Sequence, residues 1–246
     1  NAGQPAALNR GLAVAAGRIS IFLDDDIVVT PQFVAEHVHL HQQHELIVGI
    51  GQITLELTPD ADWFARSFAR GWNNHYQDLN HGERQPDWDE CYGGNMSVPR
   101  AAVLAVGANV TDLKRGYDID LAYRLKRYGC SFKYLPAALG NQYEKKGFQE
   151  LSRDSEMSGE ASIEFIRRHA DTETKVLGHI LQTGWAWLLL WQLFFHMNIS
   201  ARGIQRLQKL AGKRGKSYKW FVFVDHYYFW KGIRRAAPER ASWKQL

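Results

Sequence analysis

The stretch ISIFLDDD, residues 19–26, decides the fold that we expect for this chain. Five residues, four of them apolar, end abruptly in three consecutive aspartates, which predicts a buried strand of a parallel sheet. Open α/β sheets bind ligands beyond the carboxyl ends of their strands, so the aspartates mark a candidate site. Capping of the next helix would explain one acid, but not three adjacent acids that repel one another.

The spacing of the three aspartates indicates a metal site. On an extended backbone Asp24 and Asp26 point to the same side, while Asp25 faces the other. Two such carboxylates can hold one hard divalent cation, Mg²⁺ or Mn²⁺, with a phosphate supplying further oxygens. We therefore expect Asp24 and Asp26 to be metal ligands.

Composition and charge divide the chain into two regions. The 246 residues carry a formal charge of +4 and are 45% hydrophobic, which suits one domain with an appendage. Twelve basic and two acidic residues follow position 200, so the tail is strongly basic. We expect an α/β domain over residues 1–170 and a helical basic extension over residues 171–246. The two cysteines form no CxxC motif, which fits a reducing, cytoplasmic compartment.

The first part of the chain alternates between helical and strand patterns. Helices are predicted over residues 6–17 and 31–43, a second strand over 45–53, and a helix over 63–76 that precedes a long loop. The chain opens with a turn composition and shows no strand before the first helix. Because parallel strands need neighbours, we expect the sequence to begin inside a domain.

Three histidines, His37, His41 and His44, follow helical spacing in the second predicted helix. They could grip a metal ion, but no HExxH-type pattern accompanies them. Histidines on the polar face of a surface helix are the simpler interpretation.

Two further motifs follow the predicted long loop. Gly93 and Gly94 allow a backbone to approach a ligand closely, and Asn95 offers a donor and an acceptor to hydroxyl groups. Asp118 lies in the first turn of a helix predicted over residues 117–129, where it stays ionised and can accept a proton. Each motif also has a structural interpretation, as a tight turn and as a helix cap.

Taken together, these motifs resemble those of family 2 glycosyltransferases. The similarity covers residues 4–136 and rests on AALNRGL, LDDD, GGNMS and DIDLAYRL in this order. It implies a GT-A fold with a mostly parallel sheet flanked by helices, a nucleotide-diphosphate sugar donor, and a carbohydrate or lipid-linked acceptor. It also implies Mg²⁺ or Mn²⁺ at Asp24 and Asp26, and inversion with Asp118 as the base.

The resemblance assigns further residues to binding. The diphosphate of the nucleotide would lie near Asn9, Arg10, Asp24 and Asp25, and the donor sugar and acceptor near Gly94, Asn95 and Arg124.

Four departures from the family pattern stand beside this resemblance. Tyr117 replaces the acidic neighbour of the base, and residues 109–111 replace an expected Phe-Asp-Glu. Residues 140–142 read Gly-Asn-Gln where many relatives carry a metal-contacting histidine. The first strands of the family domain, which hold the nucleotide base and ribose, are absent from this sequence.

The C-terminal region combines Trp185, Trp187 and Trp191 with the basic tail. Its longest apolar run is far shorter than the roughly 20 residues of a membrane span. Tryptophan beside lysine and arginine suits a helix lying on an anionic membrane surface, and packing against the catalytic domain is an equal alternative. No nucleic-acid-binding module is recognisable.

Two other functions remain open from the sequence. The chain could be a truncated, non-catalytic relative that acts as a binding module. The motif at residues 24–28 also fits a haloacid dehalogenase-like phosphatase with Asp24 as nucleophile. That alternative needs a lysine and a second acidic pair, for which Lys114, Asp118 and Asp120 are poor candidates.

Overall fold

The computed structural model describes residues 3–181, 193, 201–210 and 218–238. The chain divides into two compact units. The first comprises Asn1–Pro59 and Ala69–Lys145, and the second comprises Asp60–Phe68 and Lys146–Leu246. The boundary expected at residue 170 thus falls within the second unit.

A five-stranded mixed sheet lies in the first unit, in the order β1-β4-β3-β5-β2. Its β3 and β5 are parallel, and the other three adjacent pairs are antiparallel. The strands are β1 Ile19–Leu23, β2 Ile27–Val29, β3 Ile47–Leu57, β4 Asn95–Pro99 and β5 Ser131–Glu144. The expected α/β class is confirmed, with parallel pairing confined to one pair of the described strands.

The organising strand differs from its prediction in its neighbours. Among the described residues β1 pairs with β4 alone, antiparallel, and only Phe22 of β1 is buried. An apolar run predicts a strand, but it does not contain the partner that sets the direction of pairing. The sequence pattern also missed β2, which starts directly after the aspartates.

Helices accompany this sheet in the first unit. They are α1 Gln4–Val14, α2 Phe33–Gln43, α3 Trp63–Asn80, α4 Arg100–Ala105 and α5 Tyr117–Tyr128. The first six residues of α3 belong to the second unit. Phe33 and Leu40 of α2 pack with Ile47, Leu135 and Ala138 in a buried apolar cluster, which fixes α2 against β3 and β5.

The second unit is built on two long helices that cross closely. Its described helices include α6 Phe148–Arg168, α7 Glu173–Leu181, α8 Ala201–Leu210 and α9 Tyr218–Ala236. A β-carbon at Gly159 of α6 would collide with the Phe229 backbone oxygen, and one at Gly232 of α9 with that of Glu156. The two glycines therefore allow the backbones of α6 and α9 to touch.

The tryptophan-rich segment lies mostly outside the described residues. Residues 182–192 and 194–200 are not described, so the prediction for Trp185, Trp187 and Trp191 stays a prediction. Within the described part of the chain, no helix combines the length and apolarity needed to cross a membrane.

Candidate active site

The three aspartates form a turn rather than a continuing strand. The Ile27 amide donates to the Asp24 carbonyl oxygen at 3.3 Å, so residues 24–27 close a tight turn between β1 and β2. The expectation that Asp24 and Asp26 alternate on extended backbone is therefore wrong. The carboxylates are nevertheless close enough to interact: burial raises the pKa of Asp24, and the charges of Asp26, Asp118 and Asp25 raise it further.

The double glycine lies against the first aspartate. The Asp24 amide donates to the Gly94 carbonyl oxygen at 3.3 Å. A β-carbon at position 94 would lie 2.8 Å from Asp24 Oδ2 and 3.2 Å from Ile27 Cδ1. Position 94 thus requires glycine because the Asp24 carboxylate occupies the space that a side chain would need.

Asp118 is held on the other side of the same glycine turn. Its Oδ2 accepts a hydrogen bond from the Gly93 amide at 3.0 Å, and its Oδ1 accepts one from the Ile119 amide at 2.9 Å. Burial raises the pKa of Asp118, while these amide bonds and Arg115 lower it, and the net direction is upward. Gly93 and Gly94 therefore join Asp24 and Asp118 in one site at the carboxyl end of β1.

Tyr117, the replacement for the expected acid, faces this site. Burial raises the pKa of its phenol, and the charges of Asp118 and Asp24 raise it further. A phenol that stays protonated beside two carboxylates is a hydrogen-bond donor, whereas the usual acid would add a further negative charge to a site that already contains four aspartates.

Two glutamines contact the aspartates, and the sequence analysis did not assign them. Gln142 Nε2 donates to Asp26 Oδ2 at 2.9 Å, and Gln4 Nε2 donates to Asp24 Oδ1 at 3.2 Å. Residues 140–142 were considered in the sequence analysis only because many relatives carry a histidine there. A glutamine in that place does not by itself indicate which group it will contact. No pattern pointed to Gln4.

The donor set fits a hard divalent cation. All candidate ligands are carboxylate oxygen atoms. Their negative charges repel one another at Asp24, and a bound cation would relieve that repulsion. Among the described residues no three His, Cys, Asp or Glu side chains are arranged around a metal position. The arrangement that fits is therefore a cation bound by two carboxylates, with substrate phosphates supplying further ligands, as is common for Mg²⁺.

The diphosphate residues expected on α1 have different surroundings. Asn9 Nδ2 donates to the Asn109 carbonyl oxygen at 2.7 Å, and Asn9 Oδ1 accepts from the Asn109 amide at 2.9 Å. Asn9 therefore holds the loop that replaces the expected Phe-Asp-Glu. Arg10 is exposed, and its predicted contact with a diphosphate stays a prediction.

Arg124 has a structural role in the same loop. Its Nε donates to Asp120 Oδ2 at 2.7 Å, and its terminal nitrogens donate to the carbonyl oxygens of Val106 and Ala108. Ala108 has a positive φ of 57°, a conformation that side chains disfavour, so these bonds secure a strained turn. The guanidinium predicted to meet substrate is directed at the protein backbone.

Asn95 is likewise directed into the protein. It is 1% exposed, and its Nδ2 donates to the carbonyl oxygens of Gln52 and Ala138 at 3.0 and 2.8 Å. The pattern of the glycine turn suggested a group facing hydroxyls, but alternation along β4 turns the side chain toward α2 instead. Gly94, by contrast, lies where the resemblance placed it.

Two of the three predicted histidines, His37 and His41, are buried, whereas His44 is exposed as expected. His37 is 0% and His41 is 3% exposed, and both contact Ser97 Oγ, at 2.8 and 2.9 Å. The expectation of a surface position is wrong for these two, because small residues on β3 and β4 leave room for their rings beneath the helix.

One comparison with known protein families matches the first part of the chain. Residues 1–107 match the sequence model of the family described as Glycosyl transferase family 2. Over these residues the chain is similar to this family. The match includes Asn9, the three aspartates and the double glycine, and it leaves the phosphatase alternative without support.

Solved structures agree with this family in fold. A mannosyltransferase from Pyrobaculum calidifontis, PcManGT in complex with GDP-Man and Mn²⁺, is 12% identical with a TM-score of 0.52. That comparison covers 97% of this chain and 67% of the other. The GT-A fold expected from the resemblance is thereby confirmed.

A second solved structure is GalNAc-T7 with UDP, GalNAc and Mn²⁺, at 15% identity and a TM-score of 0.43. The comparison covers 58% of this chain and 30% of the GalNAc-T7 chain. No curated protein sequence matches the chain.

Proposed function

We propose that this chain is an inverting glycosyltransferase that moves a sugar from a nucleotide-diphosphate donor to an acceptor hydroxyl. One observation supports this proposal above the others. The Gly93–Gly94 turn holds the carboxylate of Asp118 by an amide hydrogen bond and receives the Asp24 amide, so a base and a metal-binding turn share one scaffold.

Asp24 and Asp26 would hold the divalent cation. When bound, that cation would neutralise negative charge on the departing nucleotide diphosphate. Gln142 fixes one Asp26 oxygen and Gln4 one Asp24 oxygen, so each carboxylate is oriented before a metal binds. The structures of both glycosyltransferases compared above contain Mn²⁺.

Asp118 would act as the general base. The acceptor oxygen forms a bond to the anomeric carbon while the bond from that carbon to the diphosphate oxygen breaks, and the hydroxyl proton goes to Asp118. Attack from the face opposite the leaving group inverts the anomeric centre. The pKa of Asp118 is raised toward neutral pH. A general base is more effective when its pKa is closer to the pH at which the enzyme works.

Tyr117 would donate a hydrogen bond within this site. Its phenol stays protonated beside Asp118 and Asp24, so it can bind a donor oxygen without adding negative charge near the diphosphate.

Catalysis is tested with purified chain, Mn²⁺ and separate solutions of UDP-glucose, UDP-N-acetylglucosamine and GDP-mannose. Release of the nucleoside diphosphate is measured, and Asp118→Asn is expected to lower turnover about 10²–10⁴-fold with donor binding retained. Asp154→Asn, which removes the charge of an exposed salt bridge to Lys146 in the second unit, serves as the matched control.

Two results would contradict the mechanism. Unchanged turnover in Asp118→Asn would remove Asp118 from the reaction. Metal-dependent binding of UDP or GDP that persists in Asp26→Ala would move the metal site elsewhere. Nucleotide binding without turnover in the unaltered chain would favour the alternative of a non-catalytic binding module.

An anionic membrane surface is the partner proposed for the basic region. Arg202 and Arg206 of α8 are exposed, as are Leu207 and Leu210, which are 38% and 83% exposed. Apolar and basic groups on one exposed helix suit an interface with anionic lipid. Vesicles containing phosphatidylserine should bind the chain and lose it as salt rises, whereas equal binding to neutral vesicles would contradict the electrostatic contribution.

A further inference from the structure

Four buried polar side chains form a continuous network beneath α2. His37, His41, Asn95 and Ser97 are between 0% and 3% exposed. His37 Nε2 contacts Asn95 Oδ1 at 3.0 Å, His37 Nδ1 contacts Ser97 Oγ at 2.8 Å, and His41 Nε2 contacts the same oxygen at 2.9 Å. The network does not belong to the site described above, and the proposed mechanism does not use it.

The position of every proton in this network follows from Asn95. Its Nδ2 donates to two backbone carbonyl oxygens, which can only accept, so its Oδ1 must face His37. His37 Nε2 then donates and its Nδ1 accepts from the Ser97 hydroxyl. The Ser97 oxygen in turn accepts from His41 Nε2, which leaves His41 Nδ1 as a bare acceptor. In agreement, that nitrogen is buried and has no hydrogen-bond partner.

The sheet provides space for this network through glycine. A β-carbon at Gly49 of β3 would lie 2.5 Å from Ser97 Oγ, and one at Gly51 would collide with the Asn95 amide. Gly49 and Gly51 lie on the same face of the strand, because side chains alternate along it. Two glycines in a central strand weaken it, so their presence is explained by the side chains that they admit.

Asn95 connects the network to the active-site turn. Its backbone amide donates to the Tyr92 carbonyl oxygen at 3.2 Å, which closes the turn containing Gly93 and Gly94. Its side chain ties this turn to β3 through Gln52 and to β5 through Ala138. Loss of these side-chain hydrogen bonds would therefore loosen the attachment of the turn that holds Asp118 and Asp24.

We propose that His37 is a positioning residue for glycosyl transfer, acting through Asn95 to fix the Gly93–Gly94 turn. The expected effect of His37 on turnover rests on the proposed function. The expected effect of His37 on the rigidity of the Gly93–Gly94 turn does not. From within α2, the His37 ring donates to the Oδ1 side of the Asn95 amide, while the two backbone carbonyl oxygens accept from its Nδ2 side. The depressed pKa of His37, caused by burial, keeps the ring neutral and so preserves the single proton arrangement.

The test compares three variants of the full chain. His37→Leu removes the donor to Asn95, and His37→Gln restores one amide N–H in a similar place. Val103→Ala, at a buried position of α4, is the control for general loss of stability. Thermal unfolding is recorded for each. Exchange of the Gly93 amide hydrogen is followed by NMR, together with kcat and KM for the nucleotide sugar that the chain hydrolyses fastest.

We expect His37→Leu to lower kcat roughly ten- to a hundred-fold, with a smaller change in KM, because small misplacements of reacting groups cost that much. The Gly93 amide should exchange about ten-fold faster or more, since its bond to Asp118 is loosened. His37→Gln should recover most of both losses. Val103→Ala should unfold at a lower temperature without either effect.

The proposal is overturned if His37→Leu and Val103→Ala behave alike, or if His37→Gln recovers nothing. If the unaltered chain hydrolyses none of the nucleotide sugars, the proposed function fails, and the exchange of the Gly93 amide alone decides whether His37 holds the turn. Unchanged exchange in a folded His37→Leu protein then refutes the inference.

Discussion

The stability of the first unit should depend on pH through His41. Burial lowers the pKa of His41, and the charges of His37 and Arg18 act in the same direction, so that the pKa falls from 6.5 to about 4. A group whose pKa is lower in the folded state contributes stability that is present above the unfolded pKa and is lost as pH falls. The loss begins near pH 6.5 and continues toward pH 4.

The size of the effect follows from the shift. At about 1.4 kcal/mol for each pKa unit, protonation of His41 should cost about 2 kcal/mol at pH 5 and about 3 kcal/mol at pH 4. Carboxylates also titrate over this range, so the relevant quantity is the difference from His41→Gln. That variant keeps an N–H donor for Ser97 and does not titrate.

Urea unfolding of both proteins is measured at pH 7, 6, 5 and 4.5, and hydrogen exchange in the β3 and β4 peptides is used to monitor it. The difference in the free energy of unfolding between the two proteins is then compared across pH. The free energy of unfolding should fall more steeply with decreasing pH in the unaltered chain than in His41→Gln. Parallel curves for the two proteins would refute the assignment of His41 as a buried neutral ring.

Three other substitutions have defined outcomes. Gly94→Ala places a β-carbon 2.8 Å from Asp24 Oδ2, so it should abolish Mn²⁺-dependent nucleotide binding in a folded protein, and wild-type binding by calorimetry would contradict the close approach. Gly232→Ala should lower the stability of the second unit by about 1–3 kcal/mol because α6 and α9 must separate. Gly11→Ala, which meets nothing within 4 Å, is the control in thermal unfolding. Arg124→Lys retains the charge but can satisfy fewer of the three acceptors, so it should lower the melting temperature while the donor KM is unchanged. A raised KM at an unchanged melting temperature would instead restore its predicted role in substrate binding.

Local sequence was sufficient for the motifs whose chemistry is written in consecutive residues. The three aspartates after an apolar strand, the double glycine, and Asp118 at a helix start were each identifiable because charge, backbone freedom and helix polarity are local properties. Their order along the chain then carried the family resemblance. The structure brings Asp24, Gly94 and Asp118 together, as the motifs required.

Sequence was misleading where a residue has two possible partners. Asn95 and Arg124 have the hydrogen-bonding groups of substrate-binding residues, but β4 and α5 direct them to the Ala138 and Val106 carbonyl oxygens. His37 and His41 looked like surface residues because periodicity does not reveal that glycines on β3 leave a space beneath the helix.

The sequence by itself determined the α/β class, the aspartates that follow β1, the glycine turn and the position of the candidate base Asp118 at the start of α5, because each is encoded within a few residues. Only the tertiary structure decided which strand pairs with β1, which glutamines orient Asp24 and Asp26, and how His37 is linked to the active-site turn. Those features join residues that are tens of positions apart, and such contacts are set by packing across the sheet rather than by any local pattern.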